Sequence, residues 1–137
     1  MKSRIVFALG LSLAAFAPQI VSAETVWLDD LNLAVAVQGY GEPQKNQSLD
    51  GHPMAIGGRH FTRGWGTHSE ASLRVDLGGG AQSFSASVGV DDEVNGNSAS
   101  SVEFIVTGDG KPLWQSGVMR ANEAAKTFTV DLAGVRM

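Results

Sequence analysis

Three kinds of side chain in this sequence are suited to chemistry: carboxylates bunched in one loop, histidines at regular intervals, and a few aromatic rings. The carboxylates lie in Asp91-Asp92-Glu93-Val94-Asn95-Gly96. Asp91, Glu93, Asn95 and Gly96 mimic the opening of a calcium loop, where oxygens at alternate positions converge on one cation. The helix-loop-helix version fails, because its bidentate Glu would fall at Val102 and the flanks alternate as strands do. A hard cation could still sit there with Asn95, backbone carbonyls and waters as further oxygens; the plainer reading is a solvated acidic turn. Glycoside hydrolysis would need two carboxylates facing each other across about 5–9.5 Å of cleft, which neighbours on one short loop do not supply.

His52, His60 and His68 recur every eight residues, but nothing in that spacing forces them together. Surface or turn histidines are expected rather than a metal site. In His68-Ser69-Glu70, consecutive strand residues would point to opposite faces and cannot line up as nucleophile, base and orienter. The sequence holds no His-Glu-x-x-His, no Gly-x-Ser-x-Gly and no Gly-x-x-x-x-Gly-Lys. Enzymatic chemistry is not expected. Sugar binding asks for different parts, an aromatic face for the apolar side of the ring and a few fixed polar groups for its hydroxyls. Tyr40 stands between Gly39 and Gly41, which suits either an exposed ring or one packed on an edge. Trp27 and Trp114 sit in strand-like apolar runs and read as core.

The elements that must position these groups are strands. Leu73, Val75 and Leu77 alternate with Arg74 and Asp76, Phe84, Ala86 and Val88 with Ser85, Ser87 and Gly89, Val102, Phe104 and Val106 with Glu103, Ile105 and Thr107, and Phe128, Val130 and Leu132 with Thr129 and Asp131. Period-two patterning marks strands with one buried and one wet face. Gly-rich punctuation separates the runs, and Asp109-Gly110 is a strong hairpin signal because both residues tolerate positive φ. The fold class predicted is all-β, an antiparallel β-sandwich of jelly-roll or simpler Greek-key form. The apolar start at Val135-Arg136-Met137 reads as a strand cut short, so the sandwich is expected to lack its last strand.

The first residues address the compartment. Lys2 and Arg4 precede an apolar run from Ile5 to Ala17, Pro18 breaks it, and Val21-Ser22-Ala23 suits cleavage before Glu24. A spanning helix needs about 20 apolar residues, more than this run provides. Residues 1–23 are therefore predicted to be a cleaved signal peptide, and 24–137 a single domain, secreted or periplasmic, with no membrane insertion of the mature chain. The mature chain carries 8 basic against 14 acidic residues and no basic cluster, which argues against nucleic acid as a partner. With no cysteine, the fold must rest on packing alone.

Gly64-Trp65-Gly66-Thr67-His68-Ser69 and Val88-Gly89-Val90-Asp91-Asp92-Glu93 resemble a known family, the NPCBM/NEW3 carbohydrate-binding modules attached to alpha-galactosidases and other glycoside hydrolases. The likeness runs in order through Val26-Trp27-Leu28-Asp29-Asp30-Leu31, Gln38-Gly39-Tyr40-Gly41-Glu42-Pro43, Gly57-Gly58-Arg59-His60-Phe61, Val102-Glu103-Phe104, Gly108-Asp109-Gly110-Lys111 and Ser116-Gly117-Val118-Met119. The resemblance implies a non-catalytic module that binds galactose-containing glycans through Gln38, Tyr40 and His68. It also implies a structural calcium ion near Asp91, Asp92 and Glu93, and an attached or associated glycoside hydrolase. Trp65 stands where the family usually has an aliphatic residue and is read as core filler. Two other readings stay open: a fragment of a larger alpha-galactosidase-like hydrolase, and a structural or adhesive sandwich without a working sugar site.

Overall fold

The computed structural model describes residues 23–96 and 100–137; the expected signal peptide lies outside the described residues, apart from Ala23. Ten strands follow in order: β1 Val37–Gln38, β2 Gln44–Lys45, β3 Met54–Ile56, β4 Arg59–Phe61, β5 Trp65–Gly66, β6 Ala71–Ser72, β7 Ser83–Val88, β8 Ser101–Gly108, β9 Lys111–Arg120 and β10 Lys126–Asp131. Three single 3-10 turns, Leu28–Asp30, Leu33–Val35 and Asp92–Val94, complete the regular structure. Every pairing is antiparallel: β1 with β6, β2 with β5, β3 with β4, β7 with β10 and β8 with β9. The molecule is the all-β antiparallel sandwich that the alternation predicts.

The core sits under β10. Phe128, Val130 and Leu132 are buried at its centre, with Leu77, Phe84, Ala86, Val88, Val106, Leu113, Trp114 and Val135 packed against them. Trp114 stacks on Phe128 with ring centroids 4.0 Å apart, and Phe84 meets the same ring edge-on at 5.5 Å. Such geometries suit the quadrupoles of aromatic rings. The wet face of the same strand pair carries a ladder of hydroxyls, Ser85 with Thr129 and Ser87 with Thr127, both at 2.7 Å. Inward apolar and outward polar residues are the expected pleat.

The β8–β9 hairpin turns at Asp109 and Gly110, with φ of 48° and 77°, the left-handed pair that a tight hairpin needs. Its register shifts between Glu103 and Ile105 and between Val106 and Thr107, so the ladder bends as it runs. A smaller buried set, Leu33, Met54, Ala55, Val90 and Met119, lies in the rest of the molecule. There Gly89 is required for close approach, because a Cβ would overlap the Ile56 side chain.

Two stretches differ from the expected strands. Residues 73–77 keep the alternation, with Leu73, Val75 and Leu77 half-buried and Arg74 and Asp76 exposed, but only Ala71–Ser72 before them is paired. Val135-Arg136-Met137 form no ladder; they are moored point by point. The Arg136 carbonyl accepts the Leu77 N–H at 2.8 Å, the Met137 carbonyl accepts the Asp109 N–H at 2.8 Å, and the Asp109 carboxylate accepts both backbone N–H groups in return.

Candidate functional site

Gln38, Tyr40 and His68 come from two segments that β1 and β6 clamp together. The Gly39 N–H donates to the Glu70 carbonyl at 2.9 Å and extends that short pairing to the tip where Tyr40 sits. Gln38 then fixes the loop from inside. Its Nε2 donates to the Tyr40 carbonyl at 2.7 Å, and its Oε1 accepts the Thr67 hydroxyl at 2.7 Å. Both ends of the amide are committed to protein groups, so Gln38 acts here as a positioning residue.

The rings it positions are open to solvent. Tyr40 is 66% exposed, and His68 is exposed beside it with ring centroids 5.4 Å apart and planes at 61°. Edge-to-face contact holds each ring against the other and leaves a face of each to solvent. A shallow groove of about 610 Å³, lined by Val37, Gln38, Gly39, Glu70, Ala71 and Ser72, runs alongside. An aromatic platform with a phenol, an imidazole and a carboxylate at its border can take the C–H face of a sugar and hydrogen-bond its hydroxyls. Thr67, which locks Gln38, carries no signal in the sequence beyond its place next to His68.

The acidic loop is built for another task. Asp91 accepts the Ala55 N–H at 3.2 Å and the Glu93 N–H at 2.9 Å, one on each oxygen. Asp92 accepts the Gly57 N–H at 2.8 Å and the Gly58 N–H at 2.7 Å, again one on each oxygen. Glu93 takes the hydroxyl of the buried Ser48 and lies 3.3 Å from His52 Nδ1. The three carboxylates therefore reach toward three different places on the chain, and each accepts from protein donors there. Calcium wants six to eight oxygens converging on one point. The calcium expectation at Asp91, Asp92 and Glu93 does not fit these contacts, and no group of three or more His, Cys, Asp or Glu residues converges among the described residues. What the loop does is brace the β3–β4 hairpin.

His60 is exposed on β4 and His52 faces Glu93, so the three evenly spaced histidines do not meet. Of the tryptophans expected in the core, Trp114 is there, and Trp65 is half-buried. Trp27 is not: it is 50% exposed, with the Arg63 guanidinium 4.8 Å from its ring centroid.

Comparison with known proteins places the chain in a family. The chain is 35% identical over 106 residues to a protein of Renibacterium salmoninarum named as an endo-alpha-N-acetylgalactosaminidase, with 72% of this chain and 7% of that relative covered. It is 32% identical over 109 residues to alpha-1,3-galactosidase B of Akkermansia muciniphila, covering 77% of this chain and 14% of the relative. The chain thus spans a small part of the curated relatives it matches. Among solved structures, it superposes on CBM51 from Clostridium perfringens GH95 in complex with methyl-galactose, with TM-score 0.72, 32% identity and 81% of each chain covered. It also superposes on CBM51-2 of Clostridium perfringens ZmpB in complex with GlcNAc, with TM-score 0.74, 30% identity and coverage of 80% of this chain and 25% of the other. The NPCBM/NEW2 domain profile matches residues 24–137, and the chain belongs to that family.

Proposed function

We propose that this chain is a non-catalytic module that binds galactose-type glycans at the Tyr40–His68 face and works beside, or attached to, a glycoside hydrolase. One observation carries the reading: two exposed rings meet edge-to-face on loops that Gln38 ties together through the Tyr40 carbonyl and Thr67, on a sandwich similar to a CBM51 solved with methyl-galactose. The matched relatives are named as galactosidase-type enzymes of which this chain spans 7% and 14%, which supports a role as an accessory to such an enzyme. Asp91 and Asp92 hold backbone N–H groups and Glu93 holds Ser48, contacts that support a bracing role for this loop. The Lys2–Ala23 segment is in keeping with export, and export would bring the domain to extracellular or periplasmic glycans.

Affinity for one sugar should be low. A monosaccharide has about 12 heavy atoms, and about 0.3 kcal/mol per atom gives a dissociation constant on the order of 1 mM. NMR titration with methyl galactoside tests the assignment. The amides of Tyr40 and His68 should shift and saturate in the millimolar range, and Tyr40→Ala should weaken binding about tenfold while leaving the rest of the spectrum unchanged. Saturation that is identical in wild type and Tyr40→Ala removes this face from the site.

A further inference from the structure

Trp27 is the most exposed of the three tryptophans, and its exposure is organised. The Arg63 guanidinium lies 4.8 Å from the ring centroid and covers one face. That guanidinium is itself fixed. Its Nε donates to the two Asp29 oxygens at 3.1 and 3.0 Å, and one terminal nitrogen reaches Asp29 Oδ2 at 2.8 Å and Asp30 Oδ1 at 2.7 Å. Asp29 is buried at 8% exposure, and the Lys45 ammonium ties the same segment down through the Asp29 carbonyl at 2.7 Å. The second Asp30 oxygen accepts the Trp27 backbone N–H at 3.3 Å. A ring 50% exposed with one face under a pinned planar cation turns its other face to water. A ring that only filled the core would be buried, and a free surface ring would not lie under a cation pinned by two carboxylates.

We propose that Trp27 is a second sugar-contacting platform, which stacks the C–H face of a neutral pyranose on its open side while Asp30 and Arg63 at its rim take ring hydroxyls. Both partners have surface to spare: the Arg63 side chain is 40% exposed and that of Asp30 53%. Together they offer an acceptor and donors next to an apolar face, the combination a pyranose requires. Two carboxylates, Asp29 and Asp30, stand against the Arg63 and Lys45 cations, so the platform has no surplus charge to attract an anionic sugar. The inference uses residues separate from Tyr40 and His68 and goes beyond the reading given above.

Titration of the full, isotope-labelled chain decides the matter, with methyl galactoside, methyl N-acetylglucosaminide and an anionic methyl sialoside as probes. The Trp27 indole N–H resonance, assigned by comparison with Trp27→Phe, should shift saturably with at least one neutral glycoside and stay still with the sialoside. It should respond in the same way in Tyr40→Ala. Trp27→Ala should weaken binding of a galactosyl disaccharide about three- to tenfold. An unmoved indole alongside shifting Tyr40 and His68 amides overturns the platform and leaves the other site standing. A shifting indole with unmoved Tyr40 and His68 amides supports the platform and removes the other site. An equal shift with the sialoside overturns the neutral-sugar assignment.

Discussion

From Ser83 onward, four strands of 6, 8, 10 and 6 residues carry the molecule, with β7 and β10 in register over their whole length. Before Ser83, six strands of two or three residues do the same work in fragments. The later half is held by ladders and by the Phe84–Phe128–Trp114 stack. The earlier half is held by side chains that reach across the chain: Arg63 to Asp29 and Asp30, Asp92 to Gly57 and Gly58, Asn46 to Gly64. Tyr40, His68 and Trp27 all belong to the earlier half. Loops tied to a rigid scaffold are where binding groups usually sit, and here the ties are themselves polar side chains.

Three measurements break or sharpen this contrast. The largest effect is expected from Phe128→Ala. The ring is 7% exposed and packs on two other rings, and truncating a buried Phe costs about 3–5 kcal/mol. The denaturation midpoint should fall with little change in slope. A loss no larger than that of an exposed residue would place the core elsewhere. Asp92→Ala comes next. It removes the acceptor for the Gly57 and Gly58 N–H groups, whose residues are exposed enough for water to compensate in part, so about 1–2 kcal/mol is expected. Hydrogen exchange should quicken at Gly57 and Gly58 and stay unchanged in the β8–β9 hairpin; uniform quickening would mean that the two halves unfold as one unit.

The smallest effect is tied to pH. The hydrogen bond from Arg63 holds the Asp29 carboxyl below its ordinary value near 3.8, against the opposing pull of burial. A carboxylate with a depressed folded-state value contributes stability that is complete above the unfolded value and fades as pH falls through the folded one. The melting temperature of the wild type should therefore drop more steeply below about pH 4 than that of Asp29→Asn, already lower at neutral pH. Parallel curves would show that the pair is not coupled to folding.

Legibility in the sequence follows the same division. Phe84-Ala86-Val88, Val102-Phe104-Val106 and Phe128-Val130 all lie in strands, the middle run in spite of the apolar Ile105 on its wet face. Asp109-Gly110 became the hairpin turn. β9 was harder to read because Gly117, at φ 64°, and the register shifts of its hairpin interrupt the period of two. Leu73-Val75-Leu77 alternate just as cleanly but have no strand partner, and alternation reports a pleat, not a neighbour. The clustering of Gln38, Tyr40 and His68 came with the family resemblance. Asp91, Asp92 and Glu93 looked like cation ligands by spacing, whereas most of their donors lie 34 to 45 residues away in the chain, out of reach of any local pattern. Trp27 reads as core from its apolar run, since Arg63, which covers it, is far away in sequence.

The unpaired stretch from Leu73 to Leu77 has one more consequence. Endoproteases bind their substrates as extended strands and make the backbone hydrogen bonds that a neighbouring strand would otherwise make. A segment inside a ladder must be pulled free first, whereas this one lies in no ladder and is tied by backbone only at its Leu77 end, to Arg136. Arg74 stands exposed within it, a side chain of the kind trypsin-like enzymes select. A cut at the join between the two halves would put Trp27, Tyr40 and His68 on one fragment and the long hairpin with its core on the other, held together only by contacts such as those of Asp91, Asp92 and Glu93 with residues 48–58.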